Sequence, residues 1–163
     1  MPLSGALRVA VVTVSDRASR GLRDDRTGPE LVTVVEKAGH CVHDTRVIAD
    51  GEDQVARAVL DLAHDHDVVL LAGGTGIGPR DRTPEGVEVM CDVMVPGIGE
   101  AIRAASRARV PAADLSRACA GVRGRCLVVA LPGSPRGAAE AWAAIARVVP
   151  HAVAVIAGVD HPA

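Results

Sequence analysis

Asp67-Val68-Val69-Leu70-Leu71-Ala72-Gly73-Gly74-Thr75-Gly76 is a short aliphatic run that ends abruptly in glycine. It lacks helical spacing and is rich in branched residues, so it reads as a strand buried on both faces. Leu7 to Val14 (LRVAVVTV) reads the same way, and Cys41 to Ile48 is a third strand with looser alternation. Helices lie between them. Thr27-Gly28-Pro29-Glu30 opens one, with Thr27 and Glu30 at capping-box spacing, Leu31, Val34, Val35 and Ala38 as its inner stripe, and Gly39 as its stop. Residues 52–63 form another, with Glu52 and Asp53 in the first turn and Val55, Val59 and Leu62 on one face.

Downstream, Thr83 is expected to cap a helix with Pro84 at its first position, and Pro96-Gly97 precedes a helix over 98–108. Leu115 to Val122 and Cys126 to Leu131 read as a hairpin about a glycine turn. Ser134-Pro135 starts a helix carrying Trp142, Ile145 and Val149, and residues 151–157 form a last helix or strand. Strands alternating with helices predict a three-layer α/β/α sandwich with a mostly parallel sheet and one antiparallel edge, a single domain over residues 1–163. Sites in such folds lie at the carboxyl ends of strands. That rule gathers Ser15-Asp16, Asp50, residues 73–82 and Pro132-Gly133-Ser134 on one rim.

Composition narrows the function. Hydrophobic residues make up 48%, yet only 1% is aromatic, one Trp with no Phe or Tyr. The core must be Val, Ala, Leu and Ile, and base-stacking nucleic-acid binding has no platform. A net charge of −2 gives no polyanion-binding surface. No stretch reaches the roughly 18 to 20 apolar residues that span a bilayer, and Met1 to Gly5 does not read as a leader. Cys41, Cys91, Cys119 and Cys126 lack metal-ligand spacing and read as buried thiols, so a cytosolic location is expected. His40, His43, His64, His66, His151 and His161 form no ligand motif and are expected at the surface or in the core. Trp142 reads as core or interface.

The chemistry is concentrated in Gly73 to Glu85 (GGTGIGPRDRTPE). Its glycines let backbone amides approach an anion, Arg80 and Arg82 supply guanidinium donors, and Asp81 stands where a Mg²⁺ ligand would be needed. The alternative is a glycine turn whose Asp81 caps the next helix. No GxxxxGK[ST] loop occurs, and Pro79 and Pro84 delay the helix that a dinucleotide fingerprint requires. Asp50 ends the second strand, as a metal ligand or as the cap of the helix at 52. Ser15-Asp16 ends the first, in isolation a helix cap or turn. No GxSxG elbow or Cys–His pair supports covalent catalysis.

Taken in order, several segments resemble one family: Thr13-Val14-Ser15-Asp16, Asp25-Arg26-Thr27-Gly28-Pro29, Gly73 to Glu85, Pro96-Gly97 with Glu100 and Arg103, Leu115-Ser116-Arg117 with Ala120-Gly121, and Leu131-Pro132-Gly133-Ser134-Pro135. It is the molybdopterin-binding family, which includes bacterial molybdopterin adenylyltransferases and the G domain of gephyrin. The resemblance covers residues 7–158. It implies an α/β/α sandwich, assembly as a homotrimer or hexamer, and transfer of AMP from ATP to the terminal phosphate of molybdopterin with release of pyrophosphate. By position it makes Asp50 and Asp81 the catalytic acids that hold Mg²⁺. It makes Gly73, Gly74, Thr75 and Gly76 the phosphate-facing loop, with Arg80 beside it. Ser15 and Asp16 become rim residues, and Ser116, Gly133 and Ser134 line the pterin and nucleotide pocket. A downstream metal-insertion protein is the implied partner. A sister branch of small proteins implies the alternative of a noncatalytic pterin carrier, which has no need of an acid pair.

Overall fold

The structure is a computed structural model that describes residues 5–159. Met1 to Ser4, part of the stretch expected to carry no leader, and His161 lie outside the described residues. The elements run β1 (Arg8–Val14), α1 (Asp16–Ser19), α2 (Thr27–Lys37), β2 (Cys41–Ile48), α3 (Glu52–Leu62), β3 (Val68–Ala72), α4 (Thr83–Met90), β4 (Val93–Met94) and α5 (Pro96–Arg107). A 3₁₀ turn at Pro111–Leu115 leads to β5 (Cys119–Arg123), β6 (Cys126–Leu131), α6 (Pro135–Ile145) and α7 (Val149–Ile156).

The sheet order is β2-β1-β3-β6-β5-β4. β1, β2, β3 and β6 are mutually parallel, while β5 runs antiparallel to β6 and β4 antiparallel to β5. The expected sandwich is what forms. Every residue of β3 and of β6 is buried. Val9 and Val11 of β1, Leu70 of β3 and Val129 of β6 pack under α2, α5, α6 and α7. Their alternates Ala10, Val12, Val69, Leu71 and Val128 pack under α3 and α4. Two covered faces explain the near-continuous aliphatic runs. Trp142 is core, 2% exposed on α6 with His40 edge-on at 5.9 Å. His66 is also core: its Nδ1 lies 2.9 Å from Leu62 O and its Nε2 3.2 Å from Asp44 Oδ2. Among the described residues no single helix is long and apolar enough to cross a membrane.

Several local expectations are corrected. Thr27 and Glu30 form no capping box; α2 has Arg26 at its N-cap without a side-chain bond, and Asp25 Oδ1 accepts from the Thr27 and Gly28 amides at 3.0 Å each. Ala38 is exposed, so the inner stripe of α2 rests on Leu31, Val35 and the half-buried Val34. Thr83 does not cap α4; its hydroxyl donates to Gly73 O at 2.7 Å. Leu115 lies in the 3₁₀ turn, so the hairpin begins only at Cys119. Cys41 is exposed, whereas Cys126 is buried and Cys91 and Cys119 half-buried.

Leu70 is fully buried at the centre of the sheet. Leu70→Ala should therefore cost about 2–5 kcal/mol of stability, read as a lowered urea midpoint with little change in slope.

Candidate active site

β1 is the switch point of the sheet, because the chain goes from it to β2 on one side and then crosses back to β3 on the other. The carboxyl ends around it are stitched together. The Ser15 amide donates to Ile48 O at 2.9 Å, and the Gly73 amide donates to Leu131 O at 3.0 Å. Asp16 and Asp50 exchange backbone-to-carboxylate bonds: the Asp16 amide to Asp50 Oδ2 at 2.7 Å and the Asp50 amide to Asp16 Oδ1 at 3.2 Å. Thr27 Oγ1 donates to Gly133 O at 2.7 Å. Asp50 is thus committed to Asp16 rather than to capping α3, whose N-cap Gly51 has no side-chain bond. Ser15 does cap a helix, the short α1, where its Oγ accepts from the Ala18 amide at 3.2 Å.

The glycine loop is built around close approaches. Gly73 has φ +117, and a Cβ there would sit 2.1 Å from Val14 O, so β3 can turn away from β1 only without a side chain. Asp81 folds back over the loop; its Oδ2 accepts from the Gly78 amide at 2.9 Å while its own amide donates to Gly78 O at 3.1 Å. A Cβ at Gly76 would lie 2.7 Å from Asp81 Oδ2, and one at Gly78 2.9 Å from it. Asp81 is therefore no helix cap; it is a carboxylate held in the loop it helps to shape.

Three hollows line this rim. The central one, about 350 Å³, is walled by Ser15, Arg23 to Thr27, Asp50, Gly73, Gly74, Asp81, Gly133 and Ser134. A second, about 170 Å³ and more apolar, shares Ser134 and adds Ile102, Arg103, Val110, Pro132 and Ser116. A third, open and polar, lies on the other side of Asp50 with Asp16, Arg20, Asp53 and Arg80. Ser116 reaches the rim because β5 runs antiparallel, so its leading residues sit beside the carboxyl end of β6. The predicted site residues thus assemble across three adjoining spaces. Thr75 and Gly76 instead belong to the loop's frame: Thr75 is buried, and both carbonyls accept hydrogen bonds from Arg117. Arg82, expected as a phosphate donor, is turned onto Glu52 at 3.0 Å and Glu85 at 3.5 Å.

Sequence reasoning did not single out Arg23, Asp24, Asp25 and Arg26 as site residues, although they wall the central hollow. The available signal was Asp25 two residues before Thr27, an Asx-type arrangement. Asp25 also accepts from Thr13 Oγ1 at 2.9 Å, which ties this loop to β1.

The site's charges are arranged in pairs. Arg80 donates to Asp16 Oδ2 at 3.0 Å and to Asp50 O at 2.9 Å. Its hydrogen bond and charge hold the Asp16 carboxyl below the ordinary carboxylate range. Asp50 and Asp81 each use Oδ2 on a backbone amide, and among the described residues no hydrogen bond engages the Oδ1 of either. No set of three or more His, Cys, Asp or Glu side chains is gathered for a metal among the described residues. Two carboxylates facing one hollow fit Mg²⁺, which takes one or two carboxylates and completes its shell with phosphate oxygens and water. The thiols contribute nothing: burial pushes Cys91 and Cys119 up to about 11 and Cys126 to about 12.

Residues 10–151 match the family described as "Probable molybdopterin binding domain". The molybdopterin adenylyltransferase of Helicobacter pylori (strain 26695) is 34% identical over 93% of this chain and 89% of that protein. A molybdenum cofactor biosynthesis bifunctional protein of Synechococcus elongatus is 36% identical over 93% of the chain, which spans about half, 48%, of that relative's length. Among solved structures, the molybdopterin biosynthesis enzyme MoaB of Thermus thermophilus superimposes with a TM-score of 0.87 at 39% identity, covering 93% of this chain and 97% of that one.

Removing Arg80 tests the electrostatics. Arg80→Ala should bring the Asp16 titration, followed by carboxyl NMR shifts, back up toward 3.8. In the intact protein the folded value is depressed. The Asp16–Arg80 contribution to stability is therefore complete above the unfolded value and is lost as pH falls through the folded one.

Proposed function

The chain belongs to the molybdopterin-binding domain family, and from that premise we propose that it is a molybdopterin adenylyltransferase. The single observation that carries the activity is the placement of Asp50 and Asp81 on the ends of neighbouring segments, both walling one polar hollow that adjoins a more apolar one. A pure pterin carrier needs the hollows but not the acids.

In this reaction a terminal phosphate oxygen of molybdopterin attacks the α-phosphorus of ATP. The bond to the β-phosphate oxygen breaks, and pyrophosphate leaves with its electron pair. Such a transfer needs positioning and charge neutralisation rather than a covalent nucleophile. Asp50 and Asp81 would hold Mg²⁺, and its charge would neutralise the phosphate oxygens. The chain's own residues do the rest. Gly73 and Gly74 line the central hollow without side chains, so a phosphate can come close to the backbone there. Ser134, shared by the two hollows, stands where the pterin phosphate would meet the nucleotide. Arg23 and Arg26 bring positive charge to the same wall. Arg80, held bidentate on Asp16 and bonded to Asp50 O, lines the open third hollow beside Asp50. Assembly as a homotrimer or hexamer, a cytosolic location and transfer of the product to a metal-insertion protein belong to the same reading.

Purified protein mixed with ATP, Mg²⁺ and molybdopterin should release pyrophosphate in a pterin-dependent way. Asp81→Ala should abolish release while the protein stays folded and pterin binding persists. Absent release from the intact protein, with tight pterin binding, would replace the enzyme by the carrier.

A further inference from the structure

Arg117 has no role in the chemistry described above, yet its amide and guanidinium bond to four groups at the rim. It lies two residues before β5, where the antiparallel hairpin brings it against the glycine loop. Its backbone amide donates to Thr75 O at 2.7 Å and its Nε to Gly76 O at 2.8 Å. One terminal nitrogen donates to Asp81 O at 2.6 Å, and the other pairs with Glu85 Oε1 on α4 at 2.5 Å. One side chain thus grips the loop where it begins, where Asp81 stands, and where the next helix takes over.

We propose that Arg117 is the positioning residue that holds Asp81 in its working geometry, a role that rests on the adenylyl-transfer reading. Left to itself, the loop is poorly determined. A Cβ added at Gly76 or Gly78 would crowd Asp81 Oδ2 at 2.7 and 2.9 Å and push the carboxylate from its place. Glycine also carries the greatest backbone freedom. Among the described residues, the other hydrogen bonds of Asp81 are its two to Gly78, inside the same glycine-rich loop. With its Oδ2 on the Gly78 amide and its carbonyl on Arg117, Asp81 keeps its Oδ1 unengaged among the described residues. The planar guanidinium suits the task because it presents several donors in a fixed fork, which a lysine ammonium cannot reproduce. Glu85 anchors the fork. Its carboxyl is held below the ordinary range chiefly by the Arg117 hydrogen bond, against the opposing pull of its partial burial. Arg117 touches no reacting atom in this scheme; it acts through Asp81.

The test uses Arg117→Ala and Arg117→Lys in the full chain, with two independent readouts. Hydrogen–deuterium exchange over residues 74–82 should speed up in both variants while the central strands stay protected. Pyrophosphate release should fall about 10²-fold, the scale that misplacing a catalytic group by an ångström produces, with a raised Mg²⁺ requirement and an unchanged KM for the pterin. Guanidinium ion added to Arg117→Ala should restore part of the rate, which a merely structural defect would not allow. Unchanged loop exchange in both variants would overturn the proposal, as would a normal Mg²⁺ requirement alongside normal rates. If the intact protein releases no pyrophosphate, the adenylyl-transfer reading falls, and the exchange result alone still decides whether Arg117 holds the loop.

Discussion

The hydrogen bonding of β1 between β2 and β3, all three parallel, is the constraint from which the site follows. Parallel strands place all their carboxyl ends at one edge of the sheet, and a switch point opens a crevice there. The aliphatic alternates of β1, β3 and β6 serve two cores at once, so neither face of these strands is free to carry chemistry. Function is therefore confined to the loops. The antiparallel β5 adds what parallel strands cannot, because it brings its own leading residues, Ser116 and Arg117, to the same rim.

The charges at that rim do more to aim the chain than to stabilise it. Asp16 with Arg80 and Glu52 with Arg82 are exposed pairs of the kind that contributes little to folding. Their effect is local: Arg80 bridges the ends of β1 and β2, and Arg82 ties the start of α4 to α3. Asp50 and Asp81 are treated differently. Each is fixed by a backbone amide instead of a guanidinium, which orients the carboxylate without neutralising it. That is the arrangement a cation site requires.

The strands and most helix positions were legible because aliphatic periodicity reports burial directly, and burial is what the sheet imposes. The end of α2 at Gly39, φ +90, was equally local. The caps were misread for the opposite reason. Thr27 spends its hydroxyl on Gly133, more than a hundred residues away, and Thr83 spends its on Gly73 across the loop, partners that no local spacing reveals. β4, two residues long, is strand only because β5 passes beside it. It is the ordered family motifs that single out Asp50 and Asp81; on local sequence alone Asp50 reads as a helix cap. Arg82 shows the limit of proximity along the chain. It sits one residue from Asp81, yet its guanidinium turns the other way, onto Glu52 and Glu85.

Gly76 and Gly78 carry opposing demands. If Asp81 holds a cation, as proposed, its carboxylate has to be held firmly, and a rigid loop would be the direct solution. Here the carboxylate lies so close to the backbone that glycine beneath it leaves it undisturbed, and the loop is built of the least rigid residues. The usual gain from replacing glycine, a smaller unfolded-state entropy, is offset because the added Cβ would push against Asp81 Oδ2. Rigidity must then be imported from outside the loop. Only elements that share this rim are in reach, namely the start of α4 through Thr83 and Glu85, and the approach to β5 through Arg117. The glycines and the arginine are thus two halves of one solution, and neither serves without the other.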